Sequence, residues 1–395
     1  KTREILFSGA LINPLISLII KFNNVEDPAF QLQIRDFSIE SINALNSLSS
    51  YFPELVSTYC NPEFFTILNK IIYKSNSYYL RKQSFKLLDA FCGNQNALYF
   101  QAEFFSTILP PILIDFFDVD FFETTTNSLF SILQYLGDIP LSISLSSEMI
   151  PKLITIFKYC DKTKLDGCFS IVSFCIDRIN FLRHEVEENK LSLNEYQTII
   201  LEHEAEINDS FFCPSFADCL ISSVRQLFSE SEFQLFHLVD IMMDEMWRTF
   251  FDEGLIEMIV CEDGLIHFVQ FHNKIHCASC ITRFLEVASS YIEKEEIDEF
   301  CVKWGESSPD KNIGPIDDDD DEELLKREEE INQRSIIMKS LSNWKVCQCV
   351  VFGGGLSFLI VMISSIKDSI LLKRILYLIY HLISTGPPEF AQLAY

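Results

Sequence analysis

The sequence predicts an all-α protein built as a solenoid of stacked helical repeats. Three observations carry that reading. A short phrase recurs: Ser41-Ile-Asn-Ala-Leu-Asn-Ser-Leu-Ser-Ser50, Leu87-Leu-Asp-Ala-Phe-Cys-Gly93, Ser128-Leu-Phe-Ser-Ile-Leu-Gln134 and Ser170-Ile-Val-Ser-Phe-Cys175. Anchored on Ser47, Ala90, Ser131 and Ser173, it returns at intervals of 43, 41 and 42 residues. A fixed period near 40 marks repeats that bury their apolar faces only against their neighbours. Second, 48% of residues are hydrophobic, with 36 Phe, so the chain can build a long core. Third, only 12 Gly and 13 Pro punctuate 395 residues, and strand-like alternation is scarce.

The elements follow in order. Ser8 to Ile20 reads as a buried helix, followed by a polar connector from Lys21 to Asp27. Pro28 suits the first turn of a long helix running to about Ser50. Its apolar residues Ile34, Phe37, Ile42, Leu45 and Leu48 fall mostly at three- and four-residue steps and form one stripe. The second repeat uses Pro62 to Lys74 and Ser77 to Gly93. The third uses Glu103 to Phe117, with a kink expected at Pro110-Pro111, and Asp118 to Leu136. The fourth uses Ser147 to Cys160 and Asp161 to Ile179. Together, residues 1–180 are expected to form the N-terminal repeats.

Residues 181–210 are acidic and poorer in large apolar side chains, and are read as an insertion or a polar repeat. The array resumes over 211–300, with helices at about Pro214 to Ser229 and Ser231 to Phe250, then Asp263 to Phe271 and a helix ending at Ser290. Its anchors are Asp244 and, 42 residues later, Glu286. Residues 301–334, with the run Asp317-Asp-Asp-Asp-Asp-Glu-Glu323, read as a solvated acidic loop. Residues 335–395 supply the C-terminal repeats through Gly353 to Ser365 and Lys367 to Thr385, with the anchor at His381. Lys1 already reads as mid-repeat, and Gly386 to Tyr395 looks like the start of another. The array is therefore expected to continue at both ends, since solenoids carry polar caps.

The pattern Gly-Ala-Leu-Ile-x-Pro-Leu-Ile-x-Leu-Ile from Gly9, a polar turn, then a long helix ending Ala-Leu-Asn-Ser-Leu-Ser-Ser50 resembles an armadillo repeat. The resemblance implies a right-handed superhelix of about six to eight three-helix repeats that binds partners along its concave face. In the importin alpha members, the third helix of each repeat carries a Trp and, one turn later, an Asn. The Asn holds the backbone of an extended peptide, and the Trp rings shape slots for Lys and Arg stems.

Matched to that motif, the pairs here are Asn43/Ser47, Lys86/Ala90, Asn127/Ser131, Phe169/Ser173, Thr282/Glu286 and Tyr377/His381. No pair is Trp/Asn. A hydroxyl reaches less far than an amide and cannot offer its donor and acceptor together in the same geometry. The resemblance therefore implies a protein-binding adaptor, with a divergent nuclear-import receptor as one form of it. A scaffold or regulatory subunit for a kinase, phosphatase or cytoskeletal complex is the alternative.

The formal charge of −26 excludes nucleic acid as the expected partner and favours a basic protein or peptide. Thirteen Cys without a disulfide-like framework suit a reducing cytoplasm or nucleus. No cofactor or metal is expected. His272, His276 and Cys280, with Cys277 beside them, have zinc-compatible chemistry but read as ordinary helix residues at a repeat junction. Asp317, Asp319, Asp321 and Glu328 match a calcium loop, yet Glu322 stands where the turn needs Gly. Val346 to Ile366 holds 21 residues without a charge, enough to span a membrane, and is read instead as a Gly-cornered pair of buried helices. No phosphate-binding loop, nucleophile elbow, metalloprotease helix or kinase signature is present, so no catalysis is expected.

Overall fold

A computed structural model gives the fold. It describes residues 9–23, 31–52, 56, 58–60, 62–75, 77–100, 102–117, 121–161, 164–188, 192–226, 233–260, 271–289 and 345–385. Several expectations lie outside these residues: the helix start at Pro28, the Asp263 to Phe271 helix, the 301–334 loop with its acidic run, and Gly386 to Tyr395. Backbone alone describes His272 and His276. Every described element is helical, with no strand among them. The chain divides into two compact units, 1–219 and 220–395.

In the first unit, α1 (Ile12–Asn23) and α2 (Gln31–Ser49) pack together, followed by α3 (Pro62–Lys74), α4 (Tyr78–Cys92) and the short α5 (Gln95–Phe100). Ser77 caps α4, its hydroxyl accepting from the Leu80 amide at 3.3 Å. Next comes a π-helical turn, Phe104–Ile108, running into α6 (Leu109–Asp115). Pro110 and Pro111 have no N–H to offer the carbonyls of Ser106 and Thr107. The kink expected there is thus a widened turn just before the proline pair. Beyond it lie α7 (Phe122–Leu136), α8 (Asp138–Ser146), α9 (Met149–Tyr159) and α10 (Asp166–Glu187).

Residues 181–210 carry the end of α10, then α11 (Glu195–Glu202) and α12 (Glu204–Phe211), before α13 (Pro214–Gln226). This acidic stretch packs back on its own unit, α11 against α8 and α12 against α9. It does so by burying Ile200, Ile207 and Phe211, while most of its described carboxylates are exposed.

The long helices α2, α4, α7 and α10 pack side by side in chain order. Each seam has its own lock. Asn46 on α2 donates to the Gln83 carbonyl of α4 at 3.0 Å, and Ser128 on α7 donates to Asp89 of α4 at 2.9 Å. Between α7 and α10 the lock is steric: a Cβ on Gly167 would lie 2.4 Å from Asn127 Oδ1 and 3.0 Å from the Asn127 amide nitrogen. The bonding partners stand 37 and 39 residues apart, close to the period of the recurring phrase.

The second unit begins with α14 (Phe233–Asp252), α15 (Leu255–Val260) and α16 (Phe271–Ser289). It ends with α17 (Lys345–Phe352), α18 (Gly355–Met362) and α19 (Ser369–Thr385). Helix α16 packs on α14, α18 and α19 around Met242, Met243, Phe250, Phe284, Leu285 and Leu378. Helices α17 and α18 meet at 59°. The corner needs glycine twice. Gly354 has φ 104°, and a Cβ on Gly355 would sit 2.9 Å from the Val350 carbonyl. No single described helix is long and apolar enough to cross a membrane; this bent pair reaches the length only together. All eleven described cysteines are free thiols, most of them buried.

Candidate functional site

The predicted site residues fall into three groups. On the row formed by α2, α4 and α7, Ser47, Lys86 and Asn127 are exposed, and Asn43 and Ser131 are half-buried. Two of the hydroxyls turn inward along their own helices: Ser47 donates to the Asn43 carbonyl at 3.0 Å and Ser131 to the Asn127 carbonyl at 3.1 Å. A serine bonded one turn back has spent its one donor and can only accept from a peptide. The amides of Asn43 and Asn127 and the ammonium groups of Lys82 and Lys86 are what this row offers. Among the described residues neither lysine makes an ion pair.

Phe169 and Ser173 on α10 do not belong to a surface. They are 0% and 2% exposed. The Phe169 ring lies 5.2 Å from Phe157 and 6.4 Å from Phe216. Phe169, matched to the Trp position, is therefore core, because α9 and α13 bring Phe157 and Phe216 against it. Thr282 on α16 is corrected likewise: it is fully buried and its hydroxyl donates to the Ala278 carbonyl at 2.6 Å.

The third group does converge. Glu286 of α16 and Tyr377 and His381 of α19 line one pocket of about 340 Å³, with Ser289 and Leu378. Tyr377 is 71% exposed at its mouth. Glu286 belongs to a charge network that sequence reading missed. Arg374 of α19 grips it through two nitrogens, Nη2–Oε2 at 2.6 Å and Nε–Oε1 at 3.2 Å. Arg283 approaches the same carboxylate at 3.8 Å and bonds Asp244 of α14.

Asp240 lies beneath. Burial raises its carboxyl above the usual range, against the opposing charges of Arg374, Arg283 and His237 and a hydrogen bond from Ser279. The Arg374 guanidinium is held more firmly protonated, first by its hydrogen bonds to Glu286. Three carboxylates thus surround two guanidinium groups. Asp244 and Glu286 were legible as anchors at the repeat spacing. The arginines were not, since Arg374 stands 88 residues from its partner.

Smaller polar clusters hold the first unit. Arg178 bonds Asp138 through Nε at 2.6 Å and Nη2 at 2.7 Å, and Gln197 donates to the same carboxylate at 3.0 Å. Asp115 takes Tyr73 at 2.8 Å and Lys152 at 3.0 Å. These are staples between helices. Among the described residues no group of three or more His, Cys, Asp or Glu could hold a metal ion.

No protein-family model matches the chain, and no curated protein matches it. Solved structures do. One is the crystal structure of an engineered protein, 11% identical, with a TM-score of 0.39, covering 94% of this chain and 100% of that one. Another comes from work on a conserved phosphorylation switch controlling the interaction between cadherin and beta-catenin. It is 10% identical, with a TM-score of 0.35, covering 95% of this chain and 92% of that one. Superpositions this loose carry no argument about function. The class the fold defines is that of an all-helical protein.

Proposed function

We propose that the chain is a non-catalytic protein-binding adaptor whose units are armadillo-type helical arrays, and that it takes a basic peptide segment. One observation carries this reading: Glu286, Tyr377 and His381, singled out by the repeat phrase, line a single pocket. A Lys or Arg stem can lie along the exposed Tyr377 ring with its cation toward Glu286. Glu286 presents the carboxylate that such a cation would meet, within a network of three acids, two arginines and His237. The formal charge of −26 draws such a segment in from a distance, at low salt most strongly. A divergent nuclear-import receptor is one form of this adaptor, working without the Trp/Asn ladder.

Anisotropy of a labelled Lys/Arg-rich peptide, measured over a salt series, tests the reading. Micromolar or tighter binding that weakens about tenfold in Tyr377→Ala supports it. Binding that vanishes with salt and ignores Tyr377→Ala reduces the effect to overall charge. A second reading, a scaffold subunit for a larger complex, draws on Lys82 and Lys86. Their cations on the α4 surface do not suit a basic ligand, so a partner surface would meet them there.

A further inference from the structure

In the first unit, between α9, α12 and α13, lies an open pocket of about 340 Å³. Its floor is aromatic. The Phe157, Phe211 and Phe216 rings sit 5.0 to 6.2 Å apart between centroids, tilted or edge-on to one another. Ile154 and Cys219 extend the apolar wall. The polar groups are few: the hydroxyls of Ser210 and Ser215, and Lys158, the single cation of the lining. Lys158 is exposed, with its ammonium 5.2 Å from the Tyr159 ring centroid, and among the described residues it makes no ion pair.

We propose that this pocket binds a small apolar anion, an aryl or alkyl carboxylate, with its tail against exposed Ile154 and the edges of Phe157 and Phe216, and its carboxylate at Lys158. The volume falls at the lower end of small-ligand sites, about 300–1,000 Å³, which sets the ligand at the size of a single ring with a short chain. The apolar lining, Ile154 above all, supplies most of the affinity through surface removed from water. An exposed lysine adds little binding but sets the sign, attracting a carboxylate and repelling an amine. The two serine hydroxyls offer donors to the second carboxylate oxygen. This site is independent of the peptide reading, which concerns the second unit.

Titration calorimetry of the full chain with 4-phenylbutyrate, 4-phenylbutanol and 4-phenylbutylamine tests it. The acid should bind saturably at one site, the alcohol several-fold more weakly, and the amine not measurably. Lys158→Met should bring the acid down to the alcohol's affinity while leaving the alcohol within about twofold. Ser215→Trp, at an exposed wall position, should abolish both, with the circular dichroism spectrum unchanged. If that variant unfolds, Ile154→Trp on the opposite wall reads out the same loss. Absence of saturable binding up to millimolar acid overturns the proposal. So does binding that survives the wall-filling variant, or an acid-over-alcohol preference that survives Lys158→Met.

Discussion

Arg374 on α19 grips Glu286 on α16 with two of its nitrogens, joining helices whose contact residues lie 88 positions apart. Each side chain is less than one-third exposed, so the pair is screened only in part. It ties the last described helix to the rest of its unit.

Removing it should loosen the second unit. Arg374→Ala is expected to cost about 1–3 kcal/mol, since it deletes charge-assisted hydrogen bonds and leaves Glu286 beside Asp240 with one cation fewer. Lys373→Ala, one position away on the exposed surface, should change stability by less than about 0.5 kcal/mol. Urea unfolding of both variants decides the matter; equal midpoints would show that the pair contributes nothing.

Acid should act on the first unit through Asp138. Burial alone would raise its carboxyl, but the hydrogen bonds from Arg178 and Gln197 and the charge of Arg178 hold it below the usual carboxylate range. A group whose folded value is depressed stabilises above its unfolded value, about 3.9, and loses that contribution as pH falls through the folded value. Asp115, held down by Tyr73 and Lys152 against its own burial, behaves the same way. Melting curves from about pH 5 to pH 2 should show a smaller acid loss in Asp138→Asn than in the parent chain. Parallel curves would remove Asp138 from the account.

Two glycines should respond oppositely to alanine. Gly167→Ala forces a methyl against the Asn127 amide, which backbone cannot easily yield, and should destabilise by about 1–3 kcal/mol. Gly93 has φ −72°, and its nearest neighbour to a new Cβ is the Asp89 carbonyl at an ordinary 3.5 Å. Gly93→Ala should therefore be neutral or stabilising by up to about 1 kcal/mol. Thermal melts of the two variants side by side provide the comparison.

The sequence spoke most clearly where local rules and packing agree. Pro62–Lys74 runs between the predicted ends, and Ser77 stands at the cap of α4, because a proline at a helix start and a serine before one need no distant partner. The helix Asp138–Ser146 went unread, since Pro140 in a nine-residue segment masks its pattern. Phe169 misled for a different reason. Its position in the phrase says which way the side chain points along α10, but not that Phe157 of α9 and Phe216 of α13 close over it. The pocket was half legible. Glu286 followed from the spacing and Tyr377 and His381 from the phrase, whereas the arginines that set its charge obey no period.

The buried thiols give the two units separate clocks. Burial pushes Cys175 and Cys347 up to about 12, and raises Cys60 and Cys168 as well, so the reactive thiolate is all but absent while the helices stay closed. Exposed Cys349 reacts at once with an alkylating reagent and marks the start of the count. Later adducts at the buried thiols record opening events. Peptides bearing Cys60, Cys92, Cys168 or Cys175 time the first unit, and those bearing Cys277, Cys280 or Cys347 time the second. Mass spectrometry of one unmodified chain can thus rank the endurance of its two halves.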